Sequence, residues 1–141
     1  MREKDEFARS FKEIQPKFSR LLTRLLNEAD LSLPQFAVLN QLVDLRTLSM
    51  TEVSRRLHIT KPAVTHHVDR LEKRALLKRI PHATDRRIFI LEILPKGERI
   101  VRKTQAYFLK LLLKTLRAFR SQERKTIRRF YALLSRTLDQ R

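Results

Sequence analysis

The sequence has no cysteine, a single glycine, and 15 acidic residues against 32 basic ones in 141 positions. Each shortage excludes something. Without cysteine the chain has no disulfide, no thiolate metal ligand, no cysteine nucleophile and no thiol redox switch. One glycine argues against a phosphate-cradling glycine loop and for helices. No apolar run approaches the length of a membrane span, and MREKDEFARSFKEI has no apolar core like that of a signal peptide. A cytoplasmic protein without membrane attachment is expected. No Ser/His/Asp order with a strained turn and no pair of carboxylates in an apolar setting is present, so the chain is not expected to be an enzyme.

What is abundant is positive charge, +17 in total. Such a chain is drawn to polyanions, meaning nucleic acid or an anionic membrane. The charge is uneven. Residues 51–87 hold ten Lys/Arg against four Asp/Glu, and residues 96–141 hold fourteen against three. The C-terminal excess, which includes Lys103, Lys110, Lys114, Arg117, Arg120, Arg124, Lys125, Arg128 and Arg129, has three readings. In order of preference they are solvation of surface helices, recognition of an anionic effector such as an aromatic carboxylate, and extra phosphate contacts.

Phe7, Phe11, Ile14, Phe18, Leu21, Leu22 and Leu25 fall at steps of three and four, which predicts one long helix. Pro16 lies inside it and predicts a kink rather than a fresh start, because the stripe keeps phase. Ser32 with Gln35 predicts a capping box, with Phe36, Leu39, Leu42 and Val43 turned inward. Ser49 with Glu52 predicts a short helix with Val53 and Leu57 inward. Residues 58–60 make a turn, and Thr60 with Pro62 opens the next helix. LLKRIPH and RRIFILEI, separated by HATDR, predict a hairpin. A helix from Pro95 to about Arg120 and a last one starting near Ser121 and Glu123 complete the chain. The terminal helices are too apolar to stand alone in water, and their cover is each other, the middle of the chain or a second copy.

Two short helices joined by a tight turn are a helix-turn-helix candidate. The second helix must dock by one narrow stripe and leave its N-terminal half free for base edges. Val64, Val68 and Leu71 supply that stripe. Lys61, Pro62, Ala63, Thr65, His66, Asp69 and Arg70 point elsewhere. Lys61 and Arg70 suit phosphate or guanine acceptors, Thr65 and His66 suit bases or phosphates, and Ala63 is small enough to approach a thymine methyl. The hairpin would lie beside this helix as a wing, with Arg86 and Arg87 at its tip and Asp85 orienting one guanidinium. The plain alternative for these last residues is a charged turn.

LSLPQFAVLNQL, MTEVSRRLHITKPAVTHHVDRLEKRALLKR, DRR and LPKGERI resemble, in order and spacing, the multiple-antibiotic-resistance-regulator (MarR) family of winged-helix transcription factors. The resemblance covers residues 31–101. It implies a mainly α fold with a small β-hairpin wing, as a single domain over residues 1–141. Residues 31–94 would be the winged helix-turn-helix DNA-binding lobe, and residues 5–29 and 95–140 the dimerisation helices. It implies a homodimer on a pseudo-palindrome in double-stranded DNA, usually as a repressor released by a small ligand or by oxidation. Thr65 and His66 fall where that family reads DNA, Arg86 or Arg87 at the wing arginine, and Asp85 at its orienting acid.

The chain departs from the family pattern at four places. Ala75 replaces a common Gly, His66 a common Arg, His67 an apolar residue, and Leu94 a Thr that would cap the following helix. His67 is expected to be a partly buried, hydrogen-bonded residue. His66 and His67 are neighbours about 100° apart on a helix and do not readily share a metal, so no metal and no cofactor is expected. The absence of cysteine excludes oxidation sensing. The rival reading is a basic helical adaptor that binds RNA or anionic surfaces by charge alone. It explains the net charge but not the order of capped helix, turn, capped helix and hairpin.

Overall fold

The computed structural model describes residues 2–140 and divides the chain into two compact units, Met1–Thr104 and Gln105–Arg141. The elements in order are α1 Arg2–Glu28, α2 Leu33–Leu45, β1 Thr47–Ser49, α3 Met50–Leu57, α4 Lys61–Lys73, β2 Leu77–Pro81, β3 Phe89–Ile93, α5 Pro95–Leu116 and α6 Ser121–Asp139. The result is the mainly helical winged-helix architecture with a small sheet. Among the described residues, no helix is long and apolar enough to cross a membrane.

Local chemistry sets the starts of the middle helices. Ser32 Oγ accepts from Gln35 N at 3.3 Å, and Gln35 Oε1 accepts from Ser32 N at 3.0 Å, closing the capping box of α2. Ser49 Oγ accepts from Glu52 N at 3.1 Å, and Thr60 Oγ1 from Ala63 N at 3.3 Å. Between α3 and α4 the chain turns at His58, whose φ is 52°. Ser54 Oγ fixes that turn by donating to Ile59 O at 2.6 Å.

The core of the first unit is aliphatic. Val38, Leu39 and Leu42 of α2, Val53 of α3, Val64, Val68 and Leu71 of α4, and Leu91 of β3 are fully buried in one cluster. The sheet has the order β1-β3-β2 with both pairings antiparallel, Leu48 opposite Leu91 and Leu77 opposite Ile93. Leu77, Leu91 and Ile93 face the core, while Lys78 and Glu92 pair across the other face at 3.6 Å. The one glycine has a packing role. A Cβ on Gly97 would lie 2.2 Å from the backbone oxygen of Leu76, so α5 passes the entry to β2 where no side chain fits.

Several expectations need correction. The hairpin is part of a three-stranded sheet, because Thr47–Ser49 adds β1, a strand too short for its alternation to register. Arg86, Arg87 and Ile88 lie in the loop, so β3 begins later than the apolar run suggests. By contrast, the expected single helix across Pro16 is present, since α1 does not start afresh there. α5 ends at Leu116, not near Arg120. Arg117, Ala118 and Phe119 tighten into i→i−3 bonds, and Arg124 Nε donates to the carbonyls of Leu116 and Phe119 at 2.9 and 2.8 Å. α6 has half a capping box, with Glu123 accepting from Arg120 N at 2.7 Å.

Candidate nucleic-acid interface

The stripe of α4 explains how the helix presents its outer side. With Val64, Val68 and Leu71 fully buried, the exposed residues of α4 are Lys61, Pro62, Thr65, His66, Asp69, Arg70 and Lys73, with Ala63 half-buried. Every residue expected on the outer face of α4 is therefore at least partly open to solvent. Thr65 Oγ1 donates to Lys61 O at 3.1 Å, so its proton is engaged inside the helix and its lone pairs are what it offers outward. That suits acceptance from an exocyclic base amine.

His67 does not make the hydrogen bond expected of it at Nδ1. It is half-buried, and Nδ1 is buried without a hydrogen-bond partner among the described residues. Burial first, then the nearby charges of His66 and Arg70, push its pKa down, favouring the neutral imidazole. The His66 and His67 rings meet edge to face with centroids 5.5 Å apart.

The wing is held to α4 by a clamp that sequence reasoning did not single out. The Arg79 guanidinium of β2 donates to Glu72 Oε1 at 2.7 Å and to Asp69 Oδ1, and the Arg79 backbone N–H donates to Glu72 Oε2 at 3.0 Å. Burial works against the Arg79 charge, but the bonds from Asp69 and Glu72 outweigh it. Asp69 is thereby spent on fixing strand to helix. The signal was weak because the partners lie seven and ten residues away and on a different element.

At the tip, Asp85 grips Arg87. Oδ1 accepts from Arg87 N at 3.0 Å and from Nε at 3.1 Å, and Oδ2 accepts from the terminal nitrogen at 3.0 Å. The side-chain bond from Arg87, then its backbone N–H, hold the Asp85 carboxyl below its ordinary value. Arg87 is thus oriented while its side chain stays 90% exposed, and Arg86 is exposed with no such partner among the described residues. His82 shapes the same loop, since its Nδ1 accepts from Thr84 N at 3.3 Å and Asp85 N at 3.2 Å. A lone histidine in a charged loop gave no sign of that role.

A MarR family model matches residues 29–88. The chain is 32% identical over 79 residues to an uncharacterized HTH-type transcriptional regulator, YsmB, of Bacillus subtilis, a stretch that is 56% of this chain and 54% of YsmB. The chain thus spans about half the length of that relative. Among solved structures, a MarR family protein from Bacillus stearothermophilus superposes with a TM-score of 0.76 at 24% identity, covering 97% of this chain and 98% of that one. Streptococcus pneumoniae FabT in complex with DNA gives 0.77 at 19% identity, covering 94% of this chain and 97% of FabT. At these identities the structures establish the fold.

Proposed function

We propose, from the premise that the chain belongs to the MarR family of winged-helix proteins, that it is a transcriptional regulator that binds double-stranded DNA and reads its sequence. The observation that carries this is the division of labour on α4. One stripe is fully buried, and the remaining surface, with Lys61, Thr65, His66 and Arg70, is exposed beside a wing whose Arg87 is oriented by Asp85. α4 enters the major groove by its N-terminal end, where Lys61 takes phosphate or guanine acceptors, Thr65 and His66 meet base edges, and Pro62 and Ala63 approach thymine methyl groups, while Arg70 farther along the helix takes phosphate or guanine acceptors. Arg87 and Arg86 lie along the flanking minor groove, where the potential is most negative.

The chain acts as a homodimer. Phe7 and Phe11 of α1 are 67% and 66% exposed, and Leu138 of α6 is 67% exposed. Apolar faces of that size need cover, and a two-fold copy supplies it. A dimer presents two copies of α4 to half-sites roughly 34–36 Å apart, which predicts a pseudo-palindromic operator and, where the operator overlaps a promoter, repression. Release by a small ligand would work by favouring a spacing of the two lobes that no longer matches successive major grooves.

The test is selection of binding sites from a random duplex pool with purified protein at about 150 mM salt, where screening over about 8 Å suppresses pure phosphate attraction. An inverted repeat with half-sites one helical turn apart is the expected result. Binding that fades with salt and selects no motif would overturn sequence reading and favour a charge-driven adaptor.

A further inference from the structure

A groove of about 830 Å³ lies beside α4, sharing His66 and Arg70 with the face assigned to DNA and extending beyond it. One wall is the corner between α1 and α2, with Asn27, Ser32 and Gln35, and the other is the α4 stripe His66, Arg70 and Lys73. The steps of four and three put those three side chains on one face of α4. From His66 to Lys73 the helix rises roughly 10 Å. The stripe therefore starts at the base-reading end and runs toward the back half of the helix.

The walls are tied together. The Arg74 guanidinium donates to Ala29 O at 2.9 Å and to Asp30 O, joining the end of α4 to the end of α1. The groove is thus formed before any partner arrives. Its charged lining is Arg70, Lys73 and Arg74 against the single carboxylate of Asp30. Arg70 and Lys73 are exposed, and neither takes part in an ion pair among the described residues. The site is an open groove rather than an enclosed cavity. A small ligand is normally buried over most of its surface. An open groove with a line of cations suits a chain of negative charges instead, and one DNA strand carries a phosphate about every 3.4 Å of helix axis.

We infer that this groove seats backbone phosphates of the DNA strand beside the bases met by α4, with Lys73 and Asn27 as contact residues additional to those above. Lys73 supplies charge, and the Asn27 amide donates from the opposite wall. Such contacts fix register and orientation and carry no sequence information. The inference rests on the duplex-binding reading, and its test separates the two.

Affinity is measured for a selected operator and for a random duplex across 50 to 300 mM salt, using the full chain and the substitutions Lys73→Gln and Asn27→Asp. Both positions are exposed, and a thermal melt by circular dichroism checks that folding is unchanged; a variant whose melt moves is set aside and the other decides. Lys73→Gln is expected to lower the slope of log affinity against log salt by about 0.9 for each phosphate that is no longer neutralised. It should weaken operator and random duplex alike, roughly tenfold, and leave the selected motif unchanged. Asn27→Asp should weaken both duplexes in the same way. If operator affinity and slope are untouched by either substitution, the groove lies off the duplex and the inference is overturned. If the unaltered protein selects no motif yet its slope depends on Lys73, sequence reading fails and the groove assignment stands. If it binds no duplex at all, both fail.

Discussion

α4 and α6 carry the same kind of pattern and meet different fates. Each is amphipathic, with an apolar stripe at helical spacing and cations opposite. Val64, Val68 and Leu71 of α4 are fully buried by their own chain. Phe130, Tyr131, Leu134 and Leu138 of α6 remain exposed. Periodicity tells which face seeks burial. It does not tell whether the same chain provides the cover.

The largest expected effect tests the covered side. Leu71→Ala should cost about 2–5 kcal/mol of unfolding free energy in denaturant titrations, because the α4 stripe sits in a close-packed core. The open side should respond differently. Leu134→Ala should leave the first unit's unfolding free energy within about 0.5 kcal/mol. It should weaken self-association by about 3 kcal/mol, since the proposed two-fold interface would lose the side chain twice. Sedimentation across a concentration series reads this directly, and an unchanged dimer would move the interface elsewhere.

Gly97→Ala sharpens the contrast from the covered side, because there the fit is backbone against backbone. With the added carbon 2.2 Å from Leu76 O, a loss of about 1–3 kcal/mol is expected. Ala75→Gly should act the opposite way. Ala75 holds φ at 55°, a left-handed conformation that costs an L-residue about 1 kcal/mol, so glycine should raise stability by less than about 1 kcal/mol once its looser unfolded state is counted.

The smallest effect is electrostatic. His67 has its pKa lowered in the folded chain, mainly by burial, so the unfolded chain takes up that proton first. Its share of stability is complete above about pH 6.5 and is lost as pH falls below that toward the folded value. His67→Leu should flatten the dependence of melting temperature on pH between about 7.5 and 5.5. A profile as steep as that of the unaltered chain would assign the dependence to another group.

Much of the fold was legible because it was written in local rules. Ser32, Ser49 and Thr60 cap the helices they were expected to cap, and the α4 stripe is buried as its spacing requires. The illegible parts depend on distance along the chain. β1 is three residues long and exists because β3 offers it an edge. The Arg79 clamp needs two elements already in place before its partners are near. At the wing, the sequence left Arg86 and Arg87 equivalent, and the bidentate grip of Asp85 separates them. His82 could not be foreseen at all, because its work is to receive backbone N–H groups of a loop whose shape it helps to make.

Four non-glycine residues of the first unit, Asp30, Arg46, His58 and Ala75, hold a positive φ at the joints between its elements. A glycine at such a joint swivels freely. A residue with a Cβ sits in one narrow well, with forbidden space around it. Each joint is therefore held more narrowly than a glycine would hold it. Replacing these four residues with glycine should therefore loosen the joint between α1 and α2 and those on either side of α4.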